Sequence, residues 1–380
     1  MRILINTNGV SVGGGLQLAD SIIREMVKVD SNYYLIVHHG QLSQTISAMN
    51  GYYNVECYYY ALPKFTFGTI TGRNISLDNL VKTKRIDVVF TIMGMSKWKP
   101  RVPHLEGFAR CKTVIPESPY WKEYSRLKLI KLDIINKVIN YCFRISSDAF
   151  WTESDFISDR VRQFLPKKAK VFTVSGYYNQ VYDMPELWDN SINFPAFDGI
   201  TLLTIAANYP HKNLKIISPL VHYMEEKHPE IKFRVVLTVK EDELKGLDDA
   251  VRSHVLFLGG VKITQCPHMY EQCDIMFMPS LLECFSATYA EAMRMNKPIL
   301  VPNLGFASIL CKDAAQYYDA VNVESLGEAL YELCTNAELR NRLVAKGQMQ
   351  LREFNNYEQR AKKLLDILQT LNNEWKQSVQ

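Results

Sequence analysis

The sequence predicts an α/β protein of two domains, each a doubly wound parallel β-sheet, that face a cleft. Three observations support this fold class. Short runs of β-branched and aromatic residues alternate with longer segments of helical period along the chain. The 380 residues exceed what one ordinary hydrophobic core encloses and suit two domains. An aperiodic segment with two prolines, residues 179–200, divides the pattern near its middle.

Each half of the chain has enough strand candidates for a sheet of its own. In the first half they are RILIN (2–6), YYLIVHH (33–39), VECYYY (55–60), DVVFTI (87–92), KTVIP (112–116), AFWTES (149–154) and KVFTVS (170–175). In the second half they are TLLTIA (201–206), FRVVLTV (233–239), VLFLGG (255–260), DIMFMPS (274–280), PILVP (298–302) and AQYYD (315–319). Helical segments in the intervals indicate βαβ units.

The proline-containing segment marks the predicted domain boundary. We assign residues 1–180 to an N-terminal Rossmann-like domain and residues 181–360 to a C-terminal one. The last segment, about 360–380, has apolar residues at helical spacing. Such a helix must dock on something, and we expect it to pack back on the first domain.

Composition excludes several classes of protein. Hydrophobic residues make up 47% of the chain and charged residues 22%, which leaves no room for a long disordered tail. The net charge of +4 falls short of the concentrated basic stripe that a nucleic-acid backbone requires. We therefore expect no nucleic acid as a partner.

Cysteines and hydropathy favour a cytoplasmic protein. The eight cysteines are scattered without a CxxC pair, which indicates free thiols in a reducing compartment. The first apolar run is shorter than the ~7–15 residues of a signal sequence, and no apolar stretch approaches the ~18 residues of a membrane span. No Cys/His spacing suggests a zinc site.

A glycine-rich loop follows the first strand. In NTNGVSVGGGLQLADSIIREM, Gly13, Gly14 and Gly15 lead into an apolar-periodic helix. Glycines let backbone amides approach an anion, so a phosphate or sugar contact is one interpretation and a purely conformational turn is the other. The spacing is not GxGxxG, and the second strand ends in His38 and His39 rather than an acid, which argues against a dinucleotide site.

The second half repeats this arrangement in TIAANYPHKNLKII. Lys212 is expected at the N-terminus of a helix, where it opposes the helix dipole. A bound phosphate would remove this conflict. A lysine solvated by water is the alternative interpretation.

Two glutamates interrupt the apolar stretch PSLLECFSATYAEAM at residues 279–293. We expect Glu283 in the loop at the C-terminal end of a buried strand and Glu291 on the next helix, where ligands of open α/β sheets bind. Buried carboxylates need partners, which bound hydroxyls or, alternatively, loop amides would supply. Their separation, up to about 12 Å of helical rise, disfavours the closely spaced carboxyl pair of a glycosidase.

A basic amphipathic helix is predicted within residues 120–144. One helical face has the apolar residues Leu127, Ile130, Ile134, Val138 and Cys142. The basic residues around it are Lys122, Arg126, Lys128, Lys131 and Lys137. Either the apolar face packs on the sheet, or the helix lies on an anionic membrane surface, and both hold if only the basic flank meets lipid.

These segments together resemble the donor site of retaining GT-B glycosyltransferases of family 4, the glycosyl transferases group 1. The most specific part is residues 274–305, where E-x7-E follows the PS strand end and precedes EAM and KPILVPNLG. VSGYYNQVY, the Lys212 loop, VLFLGGV and the glycine-rich first loop extend the resemblance over most of the chain. The first domain would then bind the acceptor and the second the nucleotide-sugar donor.

The resemblance implies a role for each candidate residue. The catalytic residues would be Glu283, which holds hydroxyls of the donor sugar, and Lys212, which neutralises the diphosphate. The implied donor-binding residues are Glu291 at the ribose, Cys284, Phe285 and Ser286 through their backbone amides, Gly260 and Val261 near the base, and Gly14 and Gly15 from the other domain. Lys212, amides and a helix end would stabilise the leaving diphosphate without a metal ion or cofactor.

The chain departs from the family pattern at three places. Ala207 occupies the position of an arginine that usually accompanies the lysine. Cys284 and Ser286 stand where glycine is common. His104 lies near the position of a catalytic-site histidine of the first domain, and it is either an acceptor-side residue or a surface or packing histidine.

The predicted function is transfer of a sugar from a nucleotide-sugar donor to a saccharide or lipid-linked glycan, in the biosynthesis of a cell-surface polysaccharide. A peripheral association with the inner face of the membrane through residues 120–144 fits this role. The alternatives are a nucleotide-sugar epimerase of the same architecture and a non-catalytic protein that binds nucleotide sugars.

Overall fold

Two compact units make up the residues that the computed structural model describes, which are 1–10, 13–61 and 67–379. Within those residues, the first unit comprises Met1–Pro116, Glu123–Asn179 and Asn355–Gln380. The second unit comprises Glu117–Lys122 and Gln180–Phe354. Each unit is an α/β structure with its own parallel sheet.

The first unit contains a seven-stranded sheet in the order β3-β2-β1-β4-β5-β6-β7. Its strands are β1 (Arg2–Asn6), β2 (Tyr33–His38), β3 (Val55–Tyr59), β4 (Val88–Thr91), β5 (His104–Gly107), β6 (Ala149–Thr152) and β7 (Lys170–Thr173). All neighbouring pairs are parallel. Its helices are α1 (Gly14–Met26), α2 (Ser43–Met49), α3 (Phe67–Thr71), α4 (Ile75–Thr83), α5 (Cys111–Val114), α6 (Arg126–Ser146), α7 (Asp155–Phe164) and α15 (Tyr357–Val379).

The packing of β1 shows that this sheet is covered on both faces. Ile3 and Ile5 pack into a core with the buried residues of α1 and α15. Leu4, which points to the opposite face, packs into a second core with α4. Successive strand residues alternate between faces, so a continuous apolar strand such as RILIN is buried on both sides.

The second unit contains a six-stranded parallel sheet in the order β10-β9-β8-β11-β12-β13. Its strands are β8 (Ile200–Thr204), β9 (Phe233–Leu237), β10 (Val255–Phe257), β11 (Ile275–Phe277), β12 (Ile299–Pro302) and β13 (Ala315–Tyr318). Its helices are α8 (Ile217–Lys227), α9 (Asp249–His254), α10 (Cys266–Glu271), α11 (Ala287–Arg294), α12 (Gly305–Cys311), α13 (Val323–Thr335) and α14 (Ala337–Leu351). Short 3-10 turns connect several of these elements, including Gln180–Asp183, Pro185–Leu187, Pro210–Lys212 and Leu214–Ile216.

Both sheets reverse their strand order at one point. In the first sheet the reversal lies between β1 and β4, and in the second between β8 and β11. In open α/β sheets, ligands bind outside the carboxyl ends of the strands at such switch points. The loops after β8 and β11 are therefore the first place to look for a site in the second unit.

The sequence prediction is wrong at two neighbouring segments of the first unit. KTVIP (112–116), predicted as a strand, contributes instead to the short helix α5. The strand β5, with the sequence HLEG, was not predicted because it has no β-branched residue and two polar ones. All four of its residues are buried, since hydrogen bonds satisfy the polar side chains.

The interpretation in which the apolar face of α6 packs on the sheet is contradicted for most of this helix. Its buried residues are Cys142, Phe143 and Ser146, near its C-terminus. The apolar residues closer to its N-terminus are exposed: Leu127, Ile130, Ile134 and Val138. Among the described residues, no helix is long and apolar enough to cross a membrane.

Candidate active site

Two loops at the carboxyl edge of the second sheet carry the charged candidates. The strands β8 and β11 are parallel neighbours, with Leu202 in register with Ile275. The loop after β8 contains Lys212, and the loop after β11 contains Glu283. The backbone N–H of Leu281 donates to the carbonyl of His211 at 2.8 Å and ties the loops together.

Lys212 and Glu283 form an ion pair. Lys212 Nζ donates to Glu283 Oε1 at 2.5 Å. The exposed fractions of the two side chains are only 17% and 11%. Because charges in such surroundings need a partner, each residue stabilises the other. The structure thus brings together two residues that the sequence analysis had assigned separately to a bound ligand.

The backbone around Lys212 differs from the prediction. Lys212 ends the 3-10 turn Pro210–Lys212, and Asn213 follows in the left-handed region with φ of 54°. A second 3-10 turn, Leu214–Ile216, precedes α8, which begins at Ile217. The predicted position of Lys212 at the helix N-terminus is therefore wrong. The ion pair with Glu283 positions its ammonium group.

A segment from the first half of the chain packs beside these loops. The hydroxyl of Ser118 donates to the carbonyl of Leu281 at 2.5 Å. The buried ring of Tyr120 meets His211 edge to face, with ring centroids 6.3 Å apart. The segment Glu117–Lys122 thereby belongs to the second unit. Sequence reasoning missed it, because contacts across 163 residues leave no local signal.

Glu291 lies on α11 and has a different environment from Glu283. Its exposed fraction is 6%, and its Oε2 accepts a hydrogen bond from the hydroxyl of Tyr270 at 3.3 Å. Burial raises the pKa of Glu291 to about 7, although hydrogen bonds from Tyr182 and Tyr270 and the charge of Lys212 act in the opposite direction. The carboxyl group is therefore poised between its neutral and ionised forms near neutral pH.

Two buried tyrosines thus form part of the site, and sequence reasoning assigned them no role. Tyr182 and Tyr270 are fully buried, with ring centroids 6.1 Å apart. Tyr182 lies in VSGYYNQVY, which supported the resemblance, and Tyr270 lies in MYEQCDIMFMPS. Both motifs are visible in the sequence, but nothing in a single sequence places these hydroxyl groups beside Glu291.

The residues Cys284, Phe285 and Ser286 lead into α11. Cys284 and Ser286 are buried, and the ring of Phe285 contacts Phe354 edge to face with centroids 6.0 Å apart. Ser286 is the N-cap residue of α11, but its hydroxyl group pairs with that of Thr288 at 2.7 Å instead of capping the helix. The first amides of a helix lack intrahelical acceptors and favour anions. This loop can therefore offer backbone N–H donors to a negatively charged ligand.

Gly260 and Val261 follow β10, which is the edge strand of the same sheet. The backbone N–H of Gly259 donates a hydrogen bond to the carbonyl of Val239 at 3.1 Å, and Gly259 has φ of 73°. Gly260 is exposed, and a Cβ atom there would meet nothing within 4 Å. The structure places Gly260 and Val261 at the carboxyl end of β10, which is the edge of the sheet that also carries Lys212 and Glu283.

Gly14 and Gly15 lie in the first unit, at the start of α1. Residues 11 and 12 of the glycine-rich loop lie outside the described residues. A Cβ atom on Gly14 would meet nothing within 4 Å, whereas one on Gly9 would overlap the carbonyl oxygen of Met93. Thus Gly9, which the sequence analysis did not select, is the glycine required for a close approach of the loops after β1 and β4.

His104 is the first residue of β5 and is fully buried. Its Nε2 pairs with the hydroxyl of Thr91 at 2.8 Å, and its Nδ1 lies 2.8 Å from both the Ser146 carbonyl and the Ser147 hydroxyl. Burial lowers its pKa. A position at the amino end of the strand, away from the carboxyl edge, is that of a packing histidine.

Two further expectations concern positive charge at the site: the arginine that is absent at position 207, and a reaction without a metal ion. Ala207 is exposed in the loop after β8, and Lys212 is the single described residue that forms an ion pair with Glu283. Among the described residues, no group of three or more His, Cys, Asp or Glu side chains could hold a metal ion.

Comparison with known proteins gives one family match. Residues 191–350 match the family described as "Glycosyl transferases group 1", and these residues lie in the second unit. No curated protein matches the chain significantly.

Solved structures share the fold over nearly the whole chain. A glycosyltransferase from Rickettsia africae has a TM-score of 0.69 at 13% identity, with 97% of this chain and 98% of that chain covered. Anabaena HepE, solved with UDP and glucose, has a TM-score of 0.66 at 13% identity and coverage of 97% and 100%. WaaG, a glycosyltransferase involved in lipopolysaccharide biosynthesis, has a TM-score of 0.66 at 15% identity and coverage of 96% and 99%.

At these identities the likeness establishes the fold alone, and the fold is GT-B with two parallel-sheet domains. The predicted fold class is thereby confirmed. The family match at residues 191–350 adds the activity of a glycosyltransferase. The chain is a glycosyltransferase with a GT-B fold, and its residues 191–350 match the glycosyl transferases group 1 family.

Proposed function

We propose that the protein is a retaining, metal-independent glycosyltransferase of family 4 that transfers a sugar from a nucleotide-sugar donor to a saccharide or lipid-linked glycan. The acceptor belongs, in this proposal, to a growing cell-surface polysaccharide. The donor binds at the carboxyl edge of the second sheet.

The observation that carries this proposal is the Lys212–Glu283 ion pair at the β8–β11 switch point, with Glu291 on the adjoining helix α11. A nucleotide sugar presents a diphosphate, sugar hydroxyls and ribose hydroxyls. The site offers an ammonium group and helix-end amides to the diphosphate, and it offers carboxylates to the sugar and ribose hydroxyls.

The proposed reaction breaks the bond between the anomeric carbon and the diphosphate oxygen, and the electron pair leaves with the diphosphate. Lys212 and the amides before α11 stabilise this developing negative charge. Glu283 both orients the donor sugar through its hydroxyls and holds Lys212 in place. The acceptor hydroxyl forms the new bond on the face from which the diphosphate departs, and its proton passes to the diphosphate.

The similar structures suggest which substrates to test first. HepE was solved with UDP and glucose, which supports UDP-glucose as the first donor to examine. WaaG is involved in lipopolysaccharide biosynthesis, which supports a lipid-linked glycan as an acceptor class. We place the protein in the cytoplasm, and its eight free cysteines support a reducing compartment.

Donor binding is tested by thermal unfolding of the full chain with a panel of nucleotide sugars. A ligand that binds only the native state raises the melting temperature with its concentration. We expect one nucleoside diphosphate and its sugars to stabilise the protein and Glu291→Gln to weaken the effect. Glu241→Gln, in an exposed ion pair of the same unit, is the matched control.

Turnover separates the proposal from its two alternatives. A transferase consumes the stabilising donor only when an acceptor is present, whereas an epimerase forms a new nucleotide sugar without one. A non-catalytic binding protein shows stabilisation without turnover. Transfer that continues after dialysis against EDTA supports the metal-independent mechanism, and loss of transfer that Mg²⁺ restores contradicts it.

A further inference from the structure

The helix α6 presents an apolar stripe to solvent. The exposed fractions of its outward apolar residues are large: 81% for Leu127, 59% for Ile130, 58% for Ile134, 43% for Val138 and 49% for Tyr141. At 1.5 Å per residue the stripe is about 21 Å long. Single exposed apolar residues are ordinary, but a continuous stripe along one helix marks a surface that binds something.

Basic residues border this stripe on both sides. With about 100° per residue, Ile134 and Val138 lie within about 20° of Leu127 around the helix axis. Lys128 is about 100° to one side of Leu127, and Lys137 is about 80° to the other. Lysines at the margins can extend along the apolar stripe while their charges reach an adjacent polar layer.

The helix α6 has a strong excess of positive charge. The helix has five basic residues and one acidic residue, Asp133, which pairs with Lys137 at 2.8 Å. The Lys128 ammonium lies over the ring of Tyr124 at 4.2 Å. Arg126 and Lys131 form no ion pair with any described residue and remain available to an anionic partner.

The opposite face and the C-terminal turns hold α6 in the first unit. Cys142 and Phe143 are buried, and the ring of Phe143 contacts Phe108 and Phe150. Ser125 caps the N-terminus by accepting a hydrogen bond from the Lys128 amide. The exposed stripe is therefore not what folds the helix, and substitutions there should leave the unit intact.

We propose that α6 docks on the surface of an anionic lipid bilayer, with its apolar stripe in the acyl boundary and its lysines among the head groups. Charge complementarity favours this occupant, because the partner must accept an apolar stripe and several unpaired positive charges at the same time. An interfacial helix has this arrangement of apolar face, basic margins and aromatic side chain. The proposal is independent of the transfer reaction.

The test uses the purified full chain and sedimentation with lipid vesicles, without any sugar substrate. We expect binding to vesicles of phosphatidylcholine mixed with phosphatidylglycerol and none to phosphatidylcholine alone. High salt should weaken the binding, because it screens the basic residues.

Two double variants separate the apolar and electrostatic contributions. Leu127→Ser with Ile134→Ser should reduce vesicle affinity by about tenfold or more, since both side chains enter the lipid. Lys128→Gln with Lys131→Gln should reduce it by roughly 25-fold, from about fivefold per basic residue near an anionic surface. The matched control is Val321→Ser with Met349→Ser, which alters exposed apolar residues of the second unit and should change nothing.

Three results would overturn the proposal. The first is absence of binding to anionic vesicles, and the second is binding that neither double variant weakens. The third is a concentration-dependent dimer that Leu127→Ser with Ile134→Ser abolishes, which would assign the stripe to a second copy of the chain. Unchanged melting temperatures of the variants show that folding does not account for any loss.

Discussion

At the scale of single residues, the ion pair between Lys212 and Glu283 has a structural role and, in the proposed reaction, a catalytic one. In the unliganded fold each of the two charges needs the other, because either charge alone would be largely buried without a partner. The same lysine must also serve a leaving diphosphate in the proposed reaction. An ammonium group has three donors, so Lys212 can keep the carboxylate while it binds a phosphate oxygen.

Removing one partner and removing both should affect stability and activity differently. We expect Lys212→Met to cost about 3–5 kcal/mol of unfolding free energy, because Glu283 is left without its counter-charge. The double variant with Glu283→Gln should recover most of that stability, yet its kcat/KM should stay at least about a hundredfold below that of the parent protein. Denaturant unfolding and donor turnover measure the two effects.

A matched control is the exposed pair Arg252–Glu241, at 2.9 Å in the same unit. Arg252→Met should change the unfolding free energy by less than about 1 kcal/mol and leave turnover unchanged. If the double variant at positions 212 and 283 regained activity, the pair would be structural and not catalytic.

Glu291 should make nucleotide binding depend on pH. Its pKa of about 7 results from burial, so the carboxyl is mostly neutral at pH 6 and mostly ionised at pH 8. In the proposed site, ribose hydroxyls donate hydrogen bonds to the ionised form of Glu291, and bound nucleotide should therefore lower this pKa. We expect nucleotide affinity to rise about tenfold from pH 6 to pH 8, as titration of one group with pKa near 7 implies.

Calorimetric titration at several pH values checks this expectation. Glu291→Gln should bind more weakly and show no rise over that interval. Glu153→Gln is the control, because burial also raises the pKa of Glu153 to about 7 but this residue lies in the first unit. A pH dependence that persists in Glu291→Gln and vanishes in Glu153→Gln would contradict the assignment.

At the scale of elements, the loops after β1 and β4 pack closely against each other at two glycines. Gly94 has φ of 86°, and a Cβ atom on it would lie 2.9 Å from the carbonyl oxygen of Gly9. The two loops lie at the switch point of the first sheet, so their close approach fixes its geometry. Gly14, by contrast, begins α1 with open space around it.

Alanine substitutions at Gly9 and Gly14 should therefore differ in their effect on stability. Gly9→Ala should cost about 1–3 kcal/mol or more, since its methyl group overlaps the Met93 carbonyl. Gly14→Ala should leave stability unchanged or raise it by up to about 1 kcal/mol, because alanine favours a helix. Denaturant unfolding measures both.

Activity of the Gly14→Ala variant then reports on ligand binding and not on folding. A loss of donor turnover in a fully stable Gly14→Ala protein would support the predicted contact between this loop and the donor. Full turnover would leave the glycine-rich loop with a conformational role.

At the scale of the whole molecule, the chain returns to its first unit at the end. Residues of α15, including Leu364 and Leu368, pack into the core that contains Ile3 and Ile5. Arg360 of the same helix is fully buried and donates to the Ser21 hydroxyl at 2.5 Å. The first unit is therefore complete only after residue 354.

Truncating the buried leucines of α15 should destabilise the first unit. We expect Leu364→Ala and Leu368→Ala to cost about 2–5 kcal/mol each, from lost burial and the cavities left behind. Chemical denaturation measures the loss, and Lys363→Ala, at an exposed position of the same helix, is the control. Equal stability of the leucine and lysine variants would contradict the importance of this helix.

Much of the fold could be predicted from local pattern. RILIN and PILVP were recognised as strands because continuous apolar runs are what a sheet covered on both faces requires. HLEG was missed because its histidine and glutamate are buried through hydrogen bonds with residues far along the chain. A pattern of hydrophobicity contains no information about such partners.

The sequence by itself determined the alternation of strands and helices, and with it the α/β fold class and the candidate residues Lys212, Glu283 and Glu291. Only the tertiary structure decided that Lys212 pairs with Glu283, that Tyr182 and Tyr270 meet Glu291, and that α6 turns its apolar stripe to solvent. The physical reason is the distance along the chain over which each effect acts. Apolar periodicity acts over a few residues, whereas the contact between residues 71 apart exists because packing makes β8 and β11 neighbours.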